Sequence, residues 1–442
     1  CACSGHTQAC ASTASSLVRV AQRYYIETLG CPKNDVDSDK IVGTLIAQGY
    51  VPTDNPAKAD VVVVNTCAFI EEARQESKDT IQHLDDVRKR SSRLVVTGCM
   101  AERYGNEIRE ELPGVDQVAG FGVPISLGKK PLKVTADIPS FDLLNLPRPK
   151  PSAPWAYVKI AEGCDRNCGF CAIPSFRGPQ RSRDVSAILS EVEQLGVREV
   201  VLVAQDLASY GKDRPEELGA GSIVPLVRSV SSMVDWVRLL YLYPSDLSDE
   251  LIDAILDTGV PYFDLSLQHV SKEHLRRMRR WGDYDRIIER IHRIRSLSPD
   301  ATFRSNFIVG YPGETEEDHD QLLRFVEEAR LDWCGFFTFS PEAGTHAMTL
   351  PDHVPAGLME ERIAELREIQ DGITSLQRDN LLGETIRVLV DEPGTARSFR
   401  EAPEIDGVVQ VPEDLGVGQF HDVTIEQVFG PDLIAEGAHL VE

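Results

Sequence analysis

Four consecutive valines at 61–64 lead into Asn-Thr-Cys, and two other stretches share that design: YYIETLGC ends on Cys31 and LVVTGC ends on Cys99. Each is a short β-rich run that stops at a cysteine. Segments with helical character lie between them, at 37–48 and 70–89. Strands alternating with helices predict a parallel sheet. The carboxyl ends of such strands gather at one edge, where ligands bind. Cys31, Cys67 and Cys99 are therefore expected to converge in space, although three separately buried cysteines are the plainer alternative.

The alternation resumes further on. AYVKIAEG, EVVLVAQD, VRLLYLYP, YFDLSLQ, TFRSNFIVGYP and CGFFTFSP read as strands, separated by helical patterns such as VSAILSEVEQLG and DELIDAILDTG. Six βα units predict a parallel barrel or part of one, with active residues at the strands' carboxyl ends. Ile363, Leu366, Ile369, Ile373 and Leu376 recur at helical spacing, so 358–380 is expected to be a helix packed on that barrel. The pattern then changes to short strands broken by Gly, Pro and Asp (TIRVLVDE, GVVQVPE, FHDVTIEQV, DLIAEG), which fits a small β-barrel. The chain is accordingly divided into a disordered tail at 1–22, an α/β unit at 23–130, a connector at 131–154 carrying six prolines, a barrel unit at 155–375 and a final β unit at 376–442. The tail holds Cys1, Cys3 and Cys10, and a flexible extension is a better reading of it than a metal site.

Composition narrows the function. The chain has 442 residues with ordinary hydrophobic (42%) and charged (26%) fractions, but 46 Lys and Arg against 70 Asp and Glu give a net charge of −24. Such a surface repels phosphate backbones, argues against an extensive nucleic-acid surface and suits a basic partner. No run approaches the ~18–20 apolar residues of a membrane span, and no basic segment followed by an apolar core marks a signal peptide. Ten cysteines in a chain of this length are not a small-domain disulfide framework. A reducing, cytoplasmic setting is expected.

Cys164, Cys168 and Cys171 lie in EGCDRNCGFC, a C-x3-C-x2-C spacing directly after the first barrel strand. The loops are short enough for one metal cluster to collect all three thiolates. With no fourth cysteine nearby, a four-iron cluster would keep one iron open. A zinc site lacking its fourth ligand is the alternative.

This spacing resembles the radical S-adenosylmethionine superfamily, whose open iron chelates the amino and carboxylate groups of S-adenosylmethionine. Phe170 matches the aromatic position near the adenine. Two three-cysteine sites in this order resemble the methylthiotransferases, over about residues 23–440. LGCPKNDVDSDK resembles the branch that modifies ribosomal protein S-twelve, whereas the tRNA-modifying branch usually reads GCQMN. Asp39 departs from the commoner Glu. The resemblance implies an open (βα)6 barrel, a C-terminal TRAM domain, S-adenosylmethionine as cofactor, and two 4Fe-4S clusters, the second on Cys31, Cys67 and Cys99. It further implies an external low-potential electron donor and a methylthio group placed on the β-carbon of an aspartate.

Several other residues are candidate cofactor contacts. Gly310 and Gly313 would wall the cofactor pocket, and Arg304 would pair with the cofactor carboxylate. Gln205 and Gln268 end barrel strands, and Tyr243 is a candidate wall. His269 and Cys334 are expected to be structural. Substrate choice rests on the last unit: residues 376–442 carry four Arg, no Lys and fourteen Asp and Glu, a net −10. The run EAPEIDGVV also resembles the protein-modifying branch. A basic protein is favoured over tRNA. The one basic stretch, 272–304, has ten Lys and Arg against five acids and reads as a solvated helix face. A non-catalytic iron–sulfur ribosome factor is the remaining rival.

Overall fold

The computed structural model describes residues 21–438 except 122, 124, 126–139 and 219–222. The expected tail up to residue 20 and the first part of the proline connector lie outside the described residues.

The first unit runs β1 (Arg23–Thr28), α1 (Pro32–Ala47), β2 (Val51–Pro52), β3 (Val61–Thr66), α2 (Glu71–Val87), β4 (Arg93–Gly98), α3 (Cys99–Glu111) and β5 (Gln117–Ala119). Its sheet is parallel throughout, in the order β2-β1-β3-β4-β5. Central β3 explains the valine run, because both of its faces are covered. Val62 and Val64 pack with Ile81, Leu84 and Ile108, while Val61 and Val63 pack with Ile41 and Leu45 on the opposite face. Helix α1 begins earlier than its apolar pattern implies. Cys31 takes the N-cap position in extended conformation, and Pro32 supplies a ready-set φ for the first turn.

The central unit contains β6 (Trp155–Lys159), β7 (Ala161–Glu162), α4 (Ile173–Arg177), β8 (Arg181–Ser182), α5 (Val185–Leu195), β9 (Glu199–Val203), α6 (Pro215–Leu218), α7 (Ile223–Ser231), β10 (Trp236–Leu239), α8 (Asp249–Leu256), β11 (Tyr262–Gln268), α9 (Lys272–Arg277), α10 (Tyr284–Leu297), β12 (Thr302–Val309), α11 (Glu316–Ala329) and β13 (Trp333–Thr338). The six long strands form two parallel three-stranded ladders, β6-β9-β10 and β11-β12-β13, joined by the bridge Leu242↔Leu265. Among the described residues β6 and β13 form no ladder with each other, so the barrel stays open. Strand alternation sorts its residues: Phe303, Phe307 and Val309 enter the core shared with the surrounding helices, while Asn306 and Ile308 face a cavity. The short pair β7–β8 closes the base of the loop that carries Cys164, Cys168 and Cys171.

Helix α12 (Ala356–Asp379) buries Ile363, Leu366 and Ile373 against the barrel, whereas Leu376, near its end, is 47% exposed. The chain finishes in a closed barrel of β14 (Thr385–Glu392), β15 (Thr395–Arg397), β16 (Val409–Gln410), β17 (Phe420–Phe429) and β18 (Asp432–Ala435). The segment between β15 and β16 leaves this small barrel and packs against the central unit. Tyr157 donates to the Pro403 carbonyl (2.8 Å), Tyr262 donates to Asp406 (2.6 Å), and Arg378 pairs with Glu401 (2.5 Å). Much of EAPEIDGVV is thus spent on internal contacts. Helix α1 reaches the same unit through Lys159–Asp37 (2.5 Å) and Lys40–Glu191 (2.9 Å). No helix among the described residues is long and apolar enough to cross a membrane.

Candidate functional site

All six cysteines of the two sequence sets line one cavity of about 430 Å³ where the first unit meets the central one. Cys31, Cys67 and Cys99 stand at the carboxyl ends of β1, β3 and β4, the edge where parallel strands gather ligands. The close approach needs glycine at two points. At Gly30 (φ +104°) a Cβ would lie 2.9 Å from Cys67 Cβ and 3.1 Å from its Sγ. At Gly98 (φ +88°) it would meet Asn65 Oδ1 at 2.2 Å. Each glycine makes the sharp strand-to-helix turn that presents the next cysteine. Asn34 ties the loops together, donating to the Leu29 carbonyl (2.7 Å) and the Thr66 carbonyl (3.2 Å).

Cys164, Cys168 and Cys171 follow β6 and β7 on the opposite wall. Burial pushes the thiols of Cys67 and Cys164 up to about 11 and that of Cys171 to about 12. Neighbouring cysteines add to each shift: Cys31 and Cys99 act on Cys67, and Cys168 acts on Cys164 and Cys171. The thiols of each set are therefore close enough to feel one another, and none is in a disulfide. Two such triads are a soft, sulfur-rich donor set suited to iron–sulfur clusters.

Guanidinium groups face both triads. Arg177, at the end of α4, donates to Cys99 Sγ at 3.0 Å and also holds Glu162 (2.9 Å) and Asn34 Oδ1 (2.9 Å). Arg280 donates to Cys168 Sγ at 3.2 Å. Arg166 pairs with Asp206 at 2.6 Å and with Asp246. The ring of Tyr243 lies between Arg166 (3.9 Å) and Arg280 (4.4 Å). Burial would raise the Glu162 carboxyl, but Arg177 and Lys159 hold it down at about 2.

Of the candidate cofactor contacts, Phe170, Gln205, Tyr243 and Gln268 line the cavity. Gln205 donates to Glu162 at 2.7 Å, and Gln268 ends β11 with a left-handed φ of 71°. Arg304, Gly310 and Gly313 are placed elsewhere. Arg304 pairs with Asp264 (3.4 Å) and Asp406 (3.3 Å). A Cβ at Gly310 would meet Met359 Sδ at 2.1 Å, and one at Gly313 would meet Arg277 at 3.2 Å. His269 is fully buried, its Nδ1 accepting from the Ser271 amide at 3.1 Å. Lys33, Asn34, Glu162, Arg177, Arg280 and Asn306 escaped the sequence reading. For Glu162 the strand-end position was an available signal, and for the arginines no spacing links them to their cysteines.

An open parallel barrel with C-x3-C-x2-C after its first strand defines a radical S-adenosylmethionine enzyme, and the Radical SAM superfamily profile matches residues 158–326. Uncharacterized protein family UPF0004 matches residues 23–120 and the TRAM domain residues 382–437. Ribosomal protein uS12 methylthiotransferase RimO of Moorella thermoacetica is 41% identical, covering 93% of this chain and 98% of that protein. Its counterpart from Aquifex aeolicus is 42% identical over 92% and 95%. The chain belongs to the ribosomal protein uS12 methylthiotransferase family. In fold it is similar to the radical S-adenosylmethionine methyltransferase TsrM of Kitasatospora setae, solved with cobalamin and a 4Fe-4S cluster bound (TM-score 0.50, 12% identity, 79% of this chain and 91% of that one).

Proposed function

We propose that this protein places a methylthio group on the β-carbon of an aspartate in ribosomal protein uS12. The observation that carries the reading is the meeting of two cysteine triads, drawn from two different units, on one cavity. Cys164, Cys168 and Cys171 would hold one 4Fe-4S cluster, with S-adenosylmethionine at its open iron, and Cys31, Cys67 and Cys99 would hold a second. When bound, these groups supply the radical hydrogen abstraction and the sulfur and methyl chemistry, with electrons from an external low-potential donor.

The chain's own residues hold and shield this chemistry. Phe170, Gln205, Tyr243 and Gln268 line the cavity that the barrel triad opens onto, and Arg280 would offset thiolate charge at Cys168. Ile70, Ile308 and Phe339 give the cavity apolar walls that exclude water. Phe69 (46% exposed) and Phe337 (50% exposed) line the cavity and still reach solvent, so a polypeptide can approach there. The last barrel favours a basic substrate. Glu384, Glu392, Glu413, Asp414, Asp422, Glu426 and Glu436 are exposed on it, while Arg378 and Arg397 are spent on internal pairs. That surface disfavours tRNA. Free thiols at the site suit a reducing cytoplasm.

The test is mass analysis of a uS12 peptide after incubation with the cluster-loaded enzyme, S-adenosylmethionine and a reductant. One methylthio group on the aspartate is expected. A peptide whose aspartate gains nothing rejects the assignment.

A further inference from the structure

Four cations line the cavity: Lys33, Arg166, Arg177 and Arg280. Three already have hydrogen-bond or ion-pair partners. Arg166 faces Asp206 and Asp246, Arg177 faces Glu162 and Cys99, and Arg280 faces Cys168. Lys33 differs. It is 8% exposed, its ammonium lies 3.4 Å from the centroid of the Tyr241 ring, and among the described residues no hydrogen bond or ion pair reaches it.

The ring attracts the charge through its quadrupole. It offers no lone pair in a plane suited to the three N–H donors of an ammonium. Tyr241 is itself fixed, with a left-handed φ of 65° and an amide that donates to Asp264 at 2.9 Å. Lys33 is thus a nearly buried cation, pinned against an aromatic face, with its donors unmet beside a cavity. A carboxylate supplies what is missing, and charge-assisted bonds of this kind are the strong ones. Lys33 stands two positions after Cys31, in the first turn of α1, on the same side of the cavity as the first-unit triad.

We infer that Lys33 receives the side-chain carboxylate of the aspartate to be modified. The inference rests on the proposed function. In aspartate the β-carbon is bonded directly to the carboxyl carbon, so holding the carboxylate at Lys33 fixes the reacting carbon to within one bond. The carboxylate then serves as the handle for substrate choice, which an asparagine of the same shape lacks.

The experiment measures binding by fluorescence anisotropy, with two labelled uS12 peptides carrying Asp or Asn at the target position. Cluster-loaded wild type, Lys33→Met and Lys33→Arg are titrated, with iron content matched. Wild type should bind the Asp peptide more tightly by on the order of tenfold, the worth of one charge-assisted hydrogen bond. Lys33→Met should bind both peptides alike, and Lys33→Arg should keep the preference. Equal binding of the two peptides by wild type overturns the inference, and that comparison needs no variant. A preference retained in Lys33→Met overturns it too, and a shift of cluster potential alone in that variant would make Lys33 a counter-charge to the cluster. If wild type modifies the Asp peptide while Lys33→Met keeps the preference, the assigned activity stands and the role of Lys33 falls. If wild type neither binds nor modifies it, both fall.

Discussion

Arg177 Nη2 lies 3.0 Å from Cys99 Sγ, so a side chain at the end of the barrel's cysteine loop reaches the cysteine triad of the other unit. The same guanidinium pairs with Glu162 at 2.9 Å and with Asp37 at 3.4 Å, inside a network that is buried throughout. Removing it leaves two buried carboxylates with Lys159 as their cation. Breaking a buried network from one side costs up to about 3–5 kcal/mol, because the survivors stay desolvated and two carboxylates must share one cation. Arg177→Met should therefore lower the thermal unfolding midpoint of the metal-free protein by several degrees. An unchanged midpoint would show that the two units are held by other contacts.

Arg280 does for Cys168 what Arg177 does for Cys99, donating at 3.2 Å. An N–H donor to a cluster ligand stabilises the reduced, more negative state and raises the potential. Arg280→Met should make the potential of the barrel's proposed cluster more negative by about 40 mV, which corresponds to ~1 kcal/mol of hydrogen bonding in a one-electron couple. A redox titration followed by electron paramagnetic resonance reads this directly. The potential of the other cluster should not move, and equal shifts in both would contradict a local effect.

The strand-end cysteines were legible in the sequence because their positions depend on local pattern. A β-rich run that stops at Gly-Cys or Thr-Cys predicts both the strand and the turn that presents the thiol. The six barrel strands and α12 followed from the same periodicity. The arginines were not legible, since Arg177 is 78 residues from Cys99 and Arg280 is 112 from Cys168. Only the packing of strand ends across the cavity brings them together. Arg304 shows the converse limit. Its residue type suits a carboxylate, and it has found two, Asp264 and Asp406, the second from the segment between β15 and β16. Gly310 and Gly313 do permit close approach, but what approaches is Met359 and Arg277.

The two triads should be separable by substitution. Cys168→Ala removes a proposed ligand of the barrel's cluster and should abolish reductive cleavage of S-adenosylmethionine while iron remains at the other triad. Cys67→Ala should leave that cleavage in place and lose methylthio transfer. Product analysis beside iron counts distinguishes the two, and identical behaviour of the variants would defeat a division of labour between the triads.

Asp35 sits where α1 meets the segment between β15 and β16, and burial, with Glu404, Asp39 and Asp37 nearby, pushes its carboxyl up to about 7. Asp39 and Glu404 are raised as well, chiefly by burial. The sign follows from proton linkage. A carboxyl with a raised folded value binds its proton more tightly in the native state, so its stabilisation is complete below the ordinary value of 3.8 and is lost as pH rises through about 7. Burial acts on His274 in the opposite direction, lowering it to about 4, so its contribution is lost only as pH falls below 6.5. Glu314, pushed up to about 7 by burial, titrates in the same window between pH 6.5 and 8, so the difference between wild type and an Asp35 variant isolates the cluster. Wild type should lose stability across that window. Asp35→Asn, neutral at every pH, should flatten the profile and raise stability at pH 8 by on the order of 1 kcal/mol, a figure discounted for the partial exposure of Asp35. Denaturant unfolding at pH 6.5 and pH 8 measures the difference. Parallel profiles for the two proteins would mean that Asp35 keeps its charge in the folded state.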